Sequence, residues 1–227
     1  MKNLLYKEYK LCMVPMVPLF YLFALMLLIP SYPYQVAAFF TCNSIFYLLK
    51  QASLNGDMLF SAMLPVSKAD VVRARVRFVM IVQLIMFLLM IPMILLNHRL
   101  YPQGNPAGTD GSATLLGFVL VVFTVFNAVC LPGFYRDEAK IDKLFLFGVL
   151  SVFGWVILSE GFMIVAGAAQ KSVPLFAWVE SHLDCYPVAG GAWAAQLVVL
   201  AACALIYGVG TVLTTRRAVR CFEGKDL

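Results

Sequence analysis

The sequence predicts an all-α, polytopic membrane protein with six transmembrane helices, and three observations predict it. First, apolar residues make up 62% of the 227 residues and charged residues only 13%, with a mean hydropathy of +0.87. Soluble domains hold about 45–50% apolar and about 25% charged residues, so this excess exceeds what a soluble core needs. Second, the apolar residues fall into six runs of roughly 20, the length that crosses a bilayer as a helix. Third, of the 17 lysines and arginines, all but Arg99 and Lys171 fall on one side of that topology. Loops rich in Lys and Arg stay inside, which puts both termini in the cytoplasm. Six crossings also return the chain to the side on which it starts. No soluble domain of ~100 residues fits between the spans, so residues 1–227 read as one transmembrane domain. Any catalytic domain the function needs belongs to another chain.

Residues 1–11, MKNLLYKEYKL, are amphipathic: Leu5 and Tyr9 share a helical face with Met13, while Lys7 and Lys10 lie on another. This suits an interfacial helix whose lysines reach headgroups or a partner. A cleaved signal peptide is the competing reading. It is disfavoured because the following apolar run is long and no small-x-small cleavage site follows it. Span 1 is expected over 12–30 and span 2 over 34–53. The short link IPSYPY joins them into a hairpin, with Pro30 and Pro33 as breakers and Tyr32 and Tyr34 as interface aromatics.

Span 3 is expected over 78–97, followed by a Gly- and Pro-rich loop at 97–114 that predicts irregular structure. Span 4 (115–134) and span 5 (144–168) flank the short charged link YRDEAKIDK. In 169–191, Phe176, Val179 and Leu183 recur at helical spacing opposite Glu180 and Asp184, which predicts an outer interfacial or re-entrant helix. Span 6 covers 192–214 and leads into the basic tail TTRRAVRCFEGKDL.

The chemistry the sequence excludes is as informative. It has no GxxxxGK[ST], so the chain brings no P-loop of its own, and it has no HExxH or GxSxG. The six cysteines show no CxxC or metal spacing and read as small apolar packing residues. His182, Asp184 and Cys185 are close in sequence but do not converge on one point of a helix, so no metal site is expected. The net charge of +5 reads as topology marking and not as a nucleic-acid surface.

Glu160 is the strongest intramembrane signal, because an unpaired carboxylate in hydrocarbon costs a few kcal/mol. Two readings follow. Either Glu160 lines a substrate path or water-filled vestibule, or span 5 ends or breaks near Ser159–Glu160 and the glutamate sits at the outer interface. At ~1.5 Å per residue it lies roughly 24 Å from the start of the span, which favours the second. Gln35, Asn43, Gln83, Asn127 and Gln196 are polar residues inside spans. Helix–helix hydrogen bonding is their default role, and with Glu160 the residues Asn43, Gln83 and Asn127 are the candidates for a substrate path.

The longest polar interruption is Asn55 to Phe78. Met58, Leu59, Phe60, Met63 and Leu64 give a short helix an apolar face, and Pro65 stops it, because the residue before proline is pushed off helical geometry. Ser67 with Asp70 three residues on matches the start of a capping box. A new helix then carries Arg73 and Arg77 on one face, with Arg75 between them, and runs into span 3. Composition alone fits a surface helix followed by positive-inside anchors at Arg73, Arg75 and Arg77. The functional alternative is a rigid hook that transmits force from a soluble partner to the spans.

The pattern NGDxxFxxxLPVSKxDVVxAR, from Asn55 to Arg75, resembles small bacterial ABC-2-type permeases, and KNLLYKEYKL and IPSYPY fit the same family. The resemblance covers most of the chain in layout and is specific over residues 1–78. It implies an ABC-2 (type V exporter-like) permease fold in a bacterial cell membrane. It also implies a separate ABC ATPase that holds ATP and Mg, and a second permease chain, identical or paralogous, with no cofactor on this chain. By that resemblance Asp57 to Leu64, including Asp57, is the coupling helix that docks in the ATPase, and residues 55–77 form the coupling segment. The expected function is the permease subunit of an exporter, with an amphipathic or hydrophobic peptide as substrate. The alternative is a non-transporting immunity, sensor or assembly factor of the same fold. An intramembrane enzyme would need a catalytic partner for Glu160, which the sequence does not offer.

Overall fold

A computed structural model describes residues 2–12, 16–102, 104–105, 107–185 and 192–225. Among these residues the secondary structure is entirely helical. Helix α1 (Lys2–Lys7) runs into a π-helical turn (Glu8–Cys12). Helix α2 (Met16–Phe20) tightens into a 3-10 run (Tyr21–Leu28). Then come α3 (Val36–Leu54), α4 (Asp57–Met63), α5 (Lys68–Leu100), α6 (Ala113–Arg136), a 3-10 turn (Glu138–Lys140), α7 (Ile141–Ala169), α8 (Pro174–Leu183) and α9 (Ala192–Glu223).

Among the described residues four helical segments are long and apolar enough to cross a membrane: Lys68–Leu100, Ala113–Arg136, Glu138–Ala169 and Ala192–Glu223. They correspond to the expected spans 3 to 6. The other two expected spans differ. The run expected over 12–30 contains a shorter apolar helix, Met16–Leu28. Its eight-residue 3-10 portion rises about 2.0 Å per residue, so it reaches further than an α-helix of equal length. The segment expected over 34–53 forms α3, which has the length at 19 residues but carries Thr41, Asn43, Ser44, Lys50 and Gln51. It tolerates these because protein surrounds much of it: Ala38, Cys42, Ile45, Leu48 and Leu49 are all buried.

Helix α6 is the centre of the bundle. It packs most extensively against α9 and next against α7, and Val119, Phe123, Phe126 and Phe134 on it are fully buried. Helix α9 is the reverse case, because most of its long apolar face points outward. The bundle has two distinct ends. The basic end holds α4, the start of α5 and the close of α9. The loop end holds the 29–35 hairpin link, the 101–112 loop and α8. The described residues of that loop are irregular, as its glycines and prolines predict, and α6 starts after Ser112, whose hydroxyl accepts from Leu115 N–H at 3.4 Å.

Candidate functional site

The local chemistry of the polar interruption builds a helix–turn–helix at the basic end. Gly56 sits in left-handed geometry (φ 61°) at the start of α4, a conformation that glycine adopts without a Cβ penalty. The helix ends at Met63, Leu64 is extended ahead of Pro65, and Ser67 caps the next helix by accepting from Asp70 N–H at 3.0 Å. Helix α5 then continues without interruption to Leu100, so the turn Pro65–Ser67 connects α4 directly to a membrane-length rod.

The two faces of α4 differ in a way that the sequence pattern does not separate. Asp57, Met58 and Ser61 are buried. Leu59, Phe60 and Met63 are exposed at 51%, 48% and 71%, with Leu64 half-buried beside them. The expected set Asp57, Met58, Leu59, Phe60, Met63 and Leu64 is therefore not one docking surface. Asp57 and Met58 fasten the helix to its own chain, and the outward residues are the ones a partner can reach.

The fastening is ionic. Arg75 donates through Nε to Glu8 Oε2 at 2.8 Å and through Nη2 to Glu8 Oε1 at 3.2 Å, and its Nη2 also donates to Asp57. Lys7 donates to the other Asp57 oxygen at 2.8 Å and to Ser61 Oγ at 2.7 Å. The Arg75 guanidinium lies over the Phe134 ring of α6, 5.2 Å from its centroid. Two cations and two carboxylates balance in a pocket where Glu8, Arg75 and Asp57 are nearly all enclosed. Burial alone would push the Asp57 carboxyl up, but the charges of Arg75 and Lys7 outweigh it and hold the group below the usual carboxylate range. Balanced charges with satisfied donors are the arrangement in which a buried ion cluster is tolerated.

Two sequence expectations are corrected here. Arg75 is not an exposed anchor: of Arg73, Arg75 and Arg77, the first and last are exposed while Arg75 is buried, and Arg73 pairs with Asp70 at 3.2 Å. Nor does Lys7 reach outward from an interfacial helix, since it turns in to Asp57. Met13 lies outside the described residues. The expectation missed the signal in the spacing. Arg73 and Arg77 are one helical turn apart, so Arg75 points to the opposite side of the rod, toward the protein.

The proposed substrate-path residues do not converge. Gln83 of α5 and Asn127 of α6 exchange two amide hydrogen bonds, at 3.0 and 3.1 Å, and Tyr207 of α9 donates to Gln83 Oε1 at 2.8 Å. These are internal ties between helices. Asn43 is half-buried on α3, apart from that trio. Glu160 is at the loop end, against the 101–112 loop. Helix α7 does not end there but continues to Ala169, and the side chain is 5% exposed. One Glu160 oxygen accepts from Thr109 N–H at 2.6 Å and Thr109 Oγ1 at 3.0 Å; the other accepts from Gln35 Nε2 at 2.8 Å. A Cβ on Gly108 would collide with this carboxylate, so the close approach of the loop requires glycine there.

Beside this latch, Asp110 N–H donates to Asp184 at 2.6 Å, which ties the same loop to the end of α8. Burial raises the Asp184 carboxyl to about 7, with Asp110, Glu180 and Glu160 adding like charge against the hydrogen bond from Asp110 N–H. Helix α8 itself packs as its spacing predicts, with Val179, Phe176 and Leu183 against Met163 and Ala166 of α7. Residues 186–191 of the expected outer segment lie outside the described residues.

A model of the ABC-2 family of transporter proteins matches residues 2–179, from α1 into α8. The chain belongs to that family. No curated protein and no solved structure matches it. As an ABC-2 family permease it is a multi-pass membrane protein and a component of membrane transport, of a family whose permeases work with ABC ATPases. The matched region contains the complete basic-end assembly of Lys7, Glu8, Asp57 and Arg75 and the helix–turn–helix from α4 to α5.

Proposed function

We propose that this chain is the permease subunit of an exporter in a bacterial cell membrane. Both termini, α4 and the start of α5 face the cytoplasm. A separate ABC ATPase binds ATP and Mg, and two permease chains enclose the path for an amphipathic or hydrophobic peptide. The observation that carries this reading is the two-faced α4. Its inner face is clamped to Arg75 of α5 through Asp57, while Leu59, Phe60 and Met63 point away from the protein.

A helix that only lay on a membrane surface would not need a buried ion cluster beneath it. A lever does, because a push on its outer face must not be lost in a flexible turn. In this account Leu59, Phe60 and Met63 enter an apolar groove on the ATPase. Nucleotide binding shifts that groove, and Asp57–Arg75 passes the shift into α5. Such a two-state motion requires only that nucleotide favour one arrangement over the other.

The test is purification of the full chain from its native membrane in mild detergent. Recovery of a stoichiometric P-loop ATPase with wild type, lost with Phe60→Asp, is the expected result. Repeated absence of any such ATPase from the wild-type preparation would overturn the proposal.

A further inference from the structure

Between α5 and α9 a groove runs from the basic end toward the middle of the bundle. Its first part is a cavity of about 530 Å³ lined by Arg73, Arg77, Arg216 and Arg220, with Glu223 as the one carboxylate among the lining residues. Its second part, about 670 Å³, is walled almost wholly by apolar side chains, among them Ile81, Leu84, Phe87 and Leu200. Arg77 and Met80 line both parts, so the two are continuous. The polar groups in the apolar part, Gln83 and Tyr207, bond to each other at 2.8 Å, which leaves that wall without an unmet donor calling for a polar ligand.

We propose that this groove binds an anionic phospholipid of the bilayer, with its phosphate among the arginines and an acyl chain along α5. Charge complementarity selects the head: four guanidiniums at one cavity mouth suit a phosphate, which arginine grips bidentately. Among the described residues no carboxylate pairs with Arg216 or Arg220, so their charge is available to a ligand. Length selects the tail. From Arg77 to Phe87 the helix rises about 15 Å at ~1.5 Å per residue, which equals one leaflet of a hydrocarbon core of ~30 Å. Basic pockets between membrane helices at the headgroup level are the kind of site that holds acidic lipids. A second copy of this chain fits less well, because pairing through this groove would bring two arginine sets together, and like charge opposes that. The inference does not depend on ATPase coupling.

The test adds equal amounts of phosphatidylglycerol and phosphatidylcholine of matched chains to the purified full-length protein and counts retained lipid by native mass spectrometry. Wild type should retain phosphatidylglycerol over phosphatidylcholine by about tenfold or more. The double variant Arg216→Gln, Arg220→Gln changes exposed side chains only and should lose that preference. Ala204→Trp, which narrows the apolar part, should lower phosphatidylglycerol retention with all four arginines in place. Equal retention of the two lipids by wild type would overturn the proposal, as would an unchanged preference in the double variant. Disulfide linkage of two copies through Leu84→Cys would overturn it as well, by making the groove an interface between copies.

Discussion

The basic end and the loop end both bury carboxylates, but they hold them by opposite means. At the basic end Glu8 and Asp57 face Arg75 and Lys7, so charge is balanced and the two carboxylates are held by ion pairs. At the loop end Glu160 and Asp184 are held by neutral donors, from Thr109, Gln35 and Asp110, and Asp110 and Glu180 add further negative charge nearby. The first arrangement is rigid and fails completely if one partner goes. In the second, burial lifts the Asp184 carboxyl to about 7, so it can gain or lose a proton near neutral pH. That difference suits the proposed lever at the basic end and gives the loop end its own dependence on pH.

Removing Arg75 tests the contrast most severely. Arg75→Met leaves Glu8 and Asp57 buried without their shared cation, and breaking a buried pair in this way costs about 3–5 kcal/mol. Denaturant unfolding in mild detergent should register that loss; a change below ~1 kcal/mol would mean the cluster is not enclosed as described. Glu160→Gln should cost less, about 1–3 kcal/mol, because it turns one of three hydrogen bonds into a donor–donor clash while removing no charge partner. The same unfolding experiment checks it.

The next effect is a slope and needs no variant to appear. The folded carboxyl of Asp184 is raised to about 7 from an ordinary 3.8, so between those values the folded protein binds more protons than the unfolded chain. Its contribution to stability is therefore full below about pH 4 and is lost as pH rises through about 7. Asp57 has the opposite sign. Its carboxyl is lowered, so its contribution is present above the ordinary carboxylate range and is lost only as pH falls below it. Stability measured from pH 5 to pH 8 should decline in wild type and decline less in Asp184→Asn; an identical slope in both would sever the loop end from this pH dependence. The smallest effect on folding belongs to Phe60→Asp, an exposed change expected to stay within ~0.5 kcal/mol while ATPase association is lost.

What the sequence made legible divides along the same line. The stop at Pro65, the capping of Asp70 N–H by Ser67, the continuous α5 and the packing face of α8 all depend on residues within a turn or two of one another, and local chemistry specifies them. The apolar runs of α5, α6, α7 and α9 were legible for the same reason. The partners of Arg75 and Glu160 were not. Glu8 lies 67 residues from Arg75, and Thr109 lies 51 from Glu160, and no periodicity connects such pairs. The shortened first span was hidden too, because hydropathy does not register a switch from α to 3-10 winding.

The central claim is that α4 and α5 move as one body because Asp57 is clamped to Arg75. Spin labels at Met63→Cys on α4 and Leu84→Cys on α5 measure that directly in the proposed complex with an ABC ATPase. A second pair, Leu84→Cys with Leu146→Cys on α7, reports movement of α5 within the bundle. On adding ATP the account predicts an unchanged, narrow Met63–Leu84 distance and a shifted Leu84–Leu146 distance. A Met63–Leu84 distance that shifts or broadens while Leu84–Leu146 stays fixed would contradict it, because α4 would then be swinging on the Pro65–Ser67 turn without moving α5.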